Sequence, residues 1–483
     1  MDLNETLRWQ DIGLPEDIER LKAAGFYEEA IARIDACLTE NWSLTANGAD
    51  KTGLAVNPVQ RVPSAQAASL LAYREMLCRL PGEYPYTEKA ALTLIRQDIP
   101  DFTAEEFRAL VANDRIDWRF VNGQKQYQQR FWLTLLDTDP QMAQRAGKPH
   151  TDTVSKDRDR QIALMQRKGR LSAAISLHEE IRPSDEAFAA AMARAKAAGK
   201  QTVTAKVWLP LPIACPSQSD ITLDRFSQPP TSVGSEVASQ RTAYWQVELA
   251  ENRTFSADFS YLQTARYQDP LARSASRYQP KEYLEEQPPH IAFTPYLKAL
   301  VAQLTAGIDN PAEKARRIYD YLTLNVQYRY MPAYFVLENI AETCARSRRG
   351  DCGVMALAFI TMCRIAGIPA RWESGLSVRP ERAGCHDWAR FYIAPMGWLY
   401  ADVSFGASAA RAGSELRRRH YFGNLDPCRM VANSAFHAQL TPPKTSWRAD
   451  PYDNQVGEIE LEGEGLYGNA VLTSRAVTRF VEF

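Results

Sequence analysis

A cysteine, a histidine and an aspartate stand in an order that could perform nucleophilic catalysis. Cys352 follows Gly350 and Asp351, and His386 and Asp402 come later in the chain. A thiolate can attack a carbonyl carbon, an imidazole can remove and return the proton, and a carboxylate can hold the imidazole in one tautomer. The order therefore indicates a centre for thiol-dependent acyl transfer.

The segment after Cys352 predicts a buried helix. Residues 353–366 are apolar on nearly every face, and Gly367 and Pro369 end the pattern. Cys352 should lie in the first turn, where unpaired backbone N–H groups and the helix dipole favour a thiolate. This effect contributes about 0.3 to 1 kcal/mol, whereas one pKa unit corresponds to about 1.36 kcal/mol. A lowered thiol pKa therefore also needs a cationic partner, for which His386 is the candidate.

The segment after His386 predicts a β-hairpin. Residues 388–393 and 398–403 are strand-like, and residues 395–397 supply the turn. Folding the chain about this turn brings residues 402–405 opposite His386. We therefore expect Asp402 and His386 on adjacent strands, within side-chain reach.

These features together resemble the transglutaminase-like core of the papain-like superfamily. The resemblance spans residues from about 294 to 406 and rests on four motifs in order: Gly350-Asp351-Cys352 at a helix start, Gly367 to Arg371 after the helix, His386-x-Trp388 on a strand, and Gly397-Trp398 through Asp402 on the next. It implies that Cys352 is the nucleophile, His386 the base and Asp402 the orienting carboxylate.

The resemblance also implies an oxyanion hole. In the family, the backbone N–H of the nucleophile acts with a side-chain donor from an upstream segment. Tyr328 is the best positional match for this donor, and Gln327 and Tyr330 are alternatives.

The chain departs from the family at Asp387, between His386 and Trp388, where the family usually has a small or apolar residue. A carboxylate at this position could change the pKa of His386 or compete with Asp402. Trp388 and Trp398 are candidates for the wall of a substrate cleft, although aromatic residues on strands are at least as often core residues.

The alternative use of these thiols is a zinc site built from Cys344, Cys352, Cys385 and His386. The sequence has no closely spaced cysteine pair of the kind that zinc sites use, so we expect no metal and no cofactor. The eight cysteines also lack the spacing of a disulfide framework, and we expect free thiols.

Composition limits the possible partners. The chain has 483 residues and a formal net charge of −1, which gives no overall attraction to nucleic acid or to an anionic membrane. The first residues contain no apolar signal region, and no later run reaches the length of a membrane span. The sequence as given thus predicts a cytoplasmic protein without a membrane or nucleic-acid partner.

The pattern along the chain predicts an α+β protein of five segments. They are a helical domain (1–200), an antiparallel β domain (201–267), a linker (268–289), the catalytic core (290–440) and C-terminal strands that return to a sheet (441–483). In the core, the helix bearing the cysteine packs on an antiparallel sheet bearing the histidine and the aspartate. A β-sandwich-like domain and the N-terminal helical domain precede it.

Periodicity also predicts individual elements. Helices are expected at 15–39 with a break near Gly25, and at 63–80, 103–111, 124–136, 158–180, 184–198, 295 onward and 311 onward. Strands are expected at 203–209, 457–461 and 470–483, together with a hairpin of 244–249 and 254–261. Residues 210–236 are expected to form long loops.

These residues favour a cysteine peptidase or amidase whose substrate is a peptide, a protein or a small molecule with an amide bond. Cys352 attacks the carboxamide, and water resolves the acyl-thioester. A transglutaminase would resolve the same thioester with an amine, which requires a site that holds the amine and excludes water. A noncatalytic binding or scaffold protein is the third hypothesis.

Overall fold

The computed structural model describes residues 3–46, 64–150 and 152–483. The chain forms two compact units. The first comprises Met1–Thr151, Gln287–His290 and Arg329–Asn339, and the second comprises Asp152–Glu286, Ile291–Tyr328 and Ile340–Phe483. The division into five segments stays a prediction.

The first unit is mainly helical. After a 3-10 helix at Asn4–Ile12, its elements are α1 (Glu16–Ala24), α2 (Tyr27–Ala46), α3 (Ala65–Glu83), α4 (Glu88–Asp98), α5 (Ala104–Ala112), β1 (Trp118–Val121), β2 (Gln124–Tyr127), α6 (Phe131–Thr138) and α7 (Pro140–Arg145). The predicted break between α1 and α2 is confirmed, because Gly25 has a φ of 80° there. The predicted helix at 63–80 falls partly on residue 63, which lies outside the described residues.

The predicted helix at 124–136 is wrong in its first part. Residues 124–127 pair with 118–121 in an antiparallel hairpin, and Asn122 and Gly123 form its two-residue turn. Both turn residues have positive φ values, 47° and 82°, as a tight hairpin turn requires. The turn chemistry of Asn-Gly therefore outweighs the helical pattern that follows it.

The second unit contains the remaining helices and strands. Its helices are α8 (Asp152–Lys168), α9 (Asp185–Ala197), α10 (Pro295–Leu304), α11 (Pro311–Asn325), α12 (Ile340–Ser347), α13 (Cys352–Ile365), α14 (Val403–Arg411) and α15 (Glu415–His420). Its strands are β3 (Arg170–Pro183), β4 (Val203–Pro210), β5 (Gln218–Phe226), β6 (Ser232–Val233), β7 (Thr242–Leu249), β8 (Phe255–Arg266), β9 (Gln327–Tyr328), β10 (Arg349–Gly350), β11 (Ala370–Arg379), β12 (Arg382–Ile393), β13 (Gly397–Ala401), β14 (Phe422–Gly423), β15 (Arg429–Asn433), β16 (Glu458–Leu461), β17 (Glu464–Gly465) and β18 (Val471–Glu482).

Two sheets of this unit form the predicted sandwich. One has the strand order β17-β16-β4-β7-β6 and the other β18-β3-β8-β5. Ile175, Val207, Trp245, Phe259 and Ile459 come from both sheets and share one buried apolar core. The C-terminal strands β16 and β18 thus complete one sheet each.

Three predictions in this region are wrong. The predicted helix 158–180 ends at Lys168, and residues 170–183 form β3, whose buried and less buried side chains alternate. The strands of the predicted hairpin, β7 and β8, lie in different sheets, because their connection crosses the sandwich. The predicted loops at 210–236 contain β5 and β6.

The core domain has the predicted α+β arrangement. Its sheet has the order β14-β13-β12-β11-β15, and α13 packs on it, with the Phe359 and Phe391 rings 5.6 Å apart. Thr294 and Asn310 cap α10 and α11 as predicted. In the described part of the chain, no helix combines the length and the apolar character needed to span a membrane.

Candidate active site

The start of α13 fixes the position of the candidate nucleophile. Asp351 caps the helix, since its Oδ1 accepts a hydrogen bond from Val354 N at 3.3 Å, and Cys352 is the first helical residue. Gly350 allows the close approach that this turn needs, because a Cβ there would lie 2.8 Å from Val354 Cγ1. The helix that follows is buried, whereas Cys352 itself is only partly buried. The thiol therefore lies at the N-terminal end of a buried helix.

The candidate base and its orienting carboxylate are in contact. His386 Nε2 lies 2.7 Å from Asp402 Oδ2, and both side chains are buried. An ionised Asp402 holds the ring proton on Nε2, which leaves Nδ1 as the proton-accepting nitrogen. The Phe405 ring lies against the imidazole, with ring centroids 4.3 Å apart.

The hairpin register predicted Asp402 on a strand, but in the structure Asp402 follows the end of β13. The β12–β13 ladder ends at the pair Ala389 and Ala401, and Asp402 then caps α14 by accepting a hydrogen bond from Phe405 N at 2.9 Å. Aspartate is a preferred N-cap residue, so an aspartate directly before a helix-forming segment favours the start of a helix over continuation of the strand. The predicted contact with His386 is nevertheless formed, from the end of the strand.

Arg429 is a second partner of Asp402. Its Nη2 lies 2.9 Å from Asp402 Oδ2 and 3.1 Å from Asp426 Oδ2, and the guanidinium is completely buried. Its strand, β15, runs beside β11 at very close range, since a Cβ on Gly375 would lie 2.0 Å from the Met430 carbonyl oxygen. Glycine at position 375 thus allows β15 to bring the arginine to the site.

Cys352 is hydrogen-bonded to Asp387. The Sγ donates to Asp387 Oδ2 at 3.3 Å, and the other carboxylate oxygen, Oδ1, accepts from Gln455 Nε2 at 2.5 Å. Gln455 Nε2 also donates to the His386 carbonyl oxygen at 2.8 Å. Among the described residues, no hydrogen bond joins Cys352 Sγ to the imidazole of His386.

The electrostatics around the sulfur are opposite to those expected from the helix dipole. Burial, followed by the carboxylates of Asp387 and Asp351, raises the pKa of the Cys352 thiol well above its usual range. Burial lowers the pKa of His386, and Arg429 adds to this effect while Asp402 opposes it. The prediction of a stabilised thiolate is wrong for this structure, because burial and the nearby acidic groups outweigh the helix end.

The other predicted site residues are placed as follows. Tyr328 lies next to the turn before the nucleophile, because β9 pairs with β10 in parallel and sets Tyr328 beside Gly350. Trp388 is fully buried, and its Nε1 donates to Glu373 Oε2 at 2.7 Å, which contradicts its prediction as a cleft wall. Trp398 packs edge-on against Tyr283 near the turn of the hairpin, about 13 Å along β13 from Asp402 at 3.3 Å per residue.

Arg429, Gln455 and Asp453 were not found from the sequence. Asp453 lies in the same segment as Gln455, and its Oδ1 accepts from Asn454 N at 2.7 Å. No local motif marks these three residues, whereas Asp387 was visible as a departure from the family pattern. In the part of the chain that the structure describes, no cluster of three or more His, Cys, Asp or Glu side chains is arranged to hold a metal ion.

Comparisons with solved structures give distant similarities. A candidate cysteine protease from Cytophaga hutchinsonii is 15% identical, with a TM-score of 0.41 over 64% of this chain and 91% of the other. The periplasmic domain of TgpA from Pseudomonas aeruginosa is 14% identical, with a TM-score of 0.25 over 50% of this chain and 98% of the other. No curated protein matches the chain.

One family profile matches the part of the chain that contains the site. Residues 298–403 match the profile described as the transglutaminase-like superfamily. The matched range begins in α10 and includes Cys352, His386 and Asp402. Residues 298–403 of this chain are therefore a transglutaminase-like core.

Proposed function

We propose that this protein is a cysteine-dependent hydrolase that cleaves a carboxamide bond through an acyl-thioester on Cys352. Its substrates are peptides, proteins or small molecules with an amide group. The observation that carries the proposal is the buried hydrogen bond of 2.7 Å between His386 Nε2 and Asp402 Oδ2, on the sheet against which the cysteine-bearing helix packs. This contact prepares the imidazole to act through Nδ1.

The first half of the reaction is attack by the sulfur. His386 takes the thiol proton through Nδ1, the sulfur forms a bond to the carbonyl carbon, and the carbonyl electron pair moves to the oxygen. The backbone N–H of Cys352 and the hydroxyl of Tyr328 are the proposed donors to this oxyanion. His386 then returns the proton to the leaving amine, and the C–N bond breaks.

The second half is hydrolysis of the thioester. His386 removes a proton from water, the hydroxide oxygen bonds to the acyl carbon, and the thiol leaves with the proton. The lowered pKa of His386 supports this role, since a neutral imidazole accepts a proton. The resting site therefore holds a neutral thiol and a neutral imidazole, and the proton moves during attack.

Mass spectrometry of a peptide library, with and without a labelled primary amine, tests the proposal. We expect cleavage or deamidation products in the wild-type protein and none in Cys352→Ser. Incorporation of the amine in excess of hydrolysis would assign the transglutaminase reaction instead. Activity equal in wild type and Cys352→Ser would overturn Cys352 as the nucleophile. No activity in either protein, while labelled peptides are retained on the protein, would favour the scaffold hypothesis.

A further inference from the structure

The partner of the nucleophile in this structure is a residue that the triad does not contain. Cys352 Sγ donates to Asp387 Oδ2, whereas His386, the preceding residue, is bound to Asp402. Asp387 thus faces the sulfur from β12 and holds the thiol there.

Asp387 is itself held in place by the segment between β15 and β16. Gln455 Nε2 bridges Asp387 Oδ1 and the His386 carbonyl oxygen, and Gln455 O accepts from Arg475 Nη2 at 2.6 Å. Asp453 lies two residues before Gln455, where Ser374 and Asn433 donate to its carboxylate. Contacts from several strands thus fix the carboxylate that faces the sulfur.

We propose that Asp387 is a positioning residue that keeps Cys352 as a neutral thiol, hydrogen-bonded away from His386, until substrate enters the site. This role rests on the proposed function of Cys352 as the nucleophile. When the Cys352 thiol turns from Asp387 to His386, its hydrogen bond to Asp387 is broken, and no covalent bond changes. The proton stays on sulfur until His386 removes it during attack.

The charges around this pair favour the resting state. Asp351 faces the sulfur from the start of α13, Asp387 faces it from β12, and Asp453 adds a further acidic group beside Asp387. Burial and these neighbours raise the pKa of Asp387 well above its usual range. An additional negative charge on sulfur is therefore unfavourable while the acidic groups remain beside it. A resting thiol of this kind is slow to react with electrophiles and oxidants.

The test is the pH dependence of Cys352 alkylation by iodoacetamide, followed at the Cys352 peptide by mass spectrometry. Asp387→Asn keeps the shape of the side chain and an oxygen that can accept from Gln455, but it removes the charge. We expect the apparent thiol pKa to fall by at least about one unit, so that alkylation near neutral pH becomes about tenfold faster or more. Asp387→Ala removes the hydrogen-bond acceptor altogether and should shift the pKa in the same direction.

The protein supplies internal controls for folding. Cys344 and Cys363 are completely buried, so their alkylation reports unfolding, and exposed Cys78 serves as the reference thiol. A thiol pKa that is unchanged or higher in the folded variants would overturn the proposal. If one variant unfolds, the thiol pKa of the other variant tests the proposal. Unfolding of both variants would show that Asp387 is required for the fold, and it would overturn the role of Asp387 as a partner that releases the thiol.

This measurement does not depend on hydrolysis. A lowered thiol pKa in the variants, in a protein that cleaves no peptide, would support the role of Asp387 and contradict the proposed hydrolase. Peptide cleavage by the wild type, with no change in the thiol pKa of the variants, would support the proposed hydrolase and contradict the role of Asp387.

Discussion

Asp387 and Asp402 are two buried carboxylates in the same small site, yet they have opposite electrostatic surroundings. Asp402 accepts hydrogen bonds from His386, Ser404 and the Phe405 backbone and forms an ion pair with Arg429. Burial alone would raise its pKa, but His386 and Arg429 bring it below the usual range. Asp387 lies beside acidic groups, and its pKa is raised. Burial is common to both, so the charges of the neighbouring groups decide the direction in which each pKa moves.

This difference assigns different tasks to the two residues. An ionised Asp402 can orient His386 and stabilise the imidazolium that forms during attack. Asp387 can hold a thiol, and the acidic groups Asp453 and Asp351 near it disfavour a thiolate.

Asp402→Asn should cause the largest loss of activity. The amide removes the charge that stabilises the imidazolium and no longer fixes the proton on Nε2, so we expect kcat to fall by roughly 10³ to 10⁴. The measurement is kcat and KM on a substrate found by the peptide screen, with Asp387→Asn as the matched variant. A loss of less than tenfold at Asp402, or a larger loss at Asp387 than at Asp402, would break the contrast.

Arg429→Gln should cause the largest loss of stability. It removes the guanidinium that contacts both buried carboxylates, Asp402 and Asp426, and we expect the free energy of unfolding to fall by about 3 to 5 kcal/mol. The same change should raise the pKa of His386, because Arg429 lowers it in the wild-type protein. Urea unfolding and NMR titration of the imidazole measure the two effects.

The control is Arg225→Gln, in an exposed ion pair with Asp258. An exposed pair contributes about 1 kcal/mol or less, so this variant should remain near the stability of the wild type. Equal losses for the two arginines would show that Arg429 is not the electrostatic support of Asp402.

His420 provides a second buried imidazole for comparison with His386. Its side chain is stacked on Tyr267, and burial lowers its pKa to about 4. The folded state thus binds this proton less readily than the unfolded state. The free energy of unfolding is therefore highest above about pH 6.5 and decreases as the pH falls toward 4. The loss over this range is about 3 kcal/mol, at about 1.36 kcal/mol per pKa unit.

His420→Phe should reduce this acid-induced loss. The measurement is the difference in unfolding free energy between wild type and variant at pH 7 and at pH 4.5, with His150→Phe as the control in the other unit. A difference that does not change with pH would mean that His420 is not kept neutral by burial.

Ser404→Ala should have the smallest effect. Ser404 Oγ donates to Asp402 Oδ1 at 3.1 Å, while Oδ2 keeps His386 and Arg429. We expect a loss of about 1.5 kcal/mol of stability and only a severalfold change in kcat. Ser408→Ala, at an exposed position on the same helix, is the control for both measurements, and an equal effect there would remove Ser404 from the support of Asp402.

Local patterns predicted the elements that hold the site. The apolar run after Cys352 and the glycine at its end predicted α13, and the turn before Trp398 predicted the β12–β13 hairpin. These signals are short in sequence, so periodicity and turn chemistry suffice to recognise them. The same method failed at β7 and β8, where two adjacent strands enter different sheets and no local signal reports their partners.

The sequence also predicted which residues form the candidate triad, but it did not predict the charges that surround them. The helix end at Cys352 suggested a thiolate, whereas the folded chain buries the thiol, places Asp387 and Asp351 near it and so raises its pKa. Asp387 was visible in the sequence as an unusual residue next to His386. Its contact with Cys352 could not be inferred, because the conformation of the intervening loop and strands sets that distance.

The order of Cys352, His386 and Asp402, the helix α13 and the β12–β13 hairpin could all be read from the chain, because they depend on near neighbours in the sequence. The charges of the site depend on the tertiary fold. It brings Arg429 to Asp402 and Gln455 to Asp387 across long separations in sequence, and the energy of a buried carboxylate depends on which group the fold places beside it.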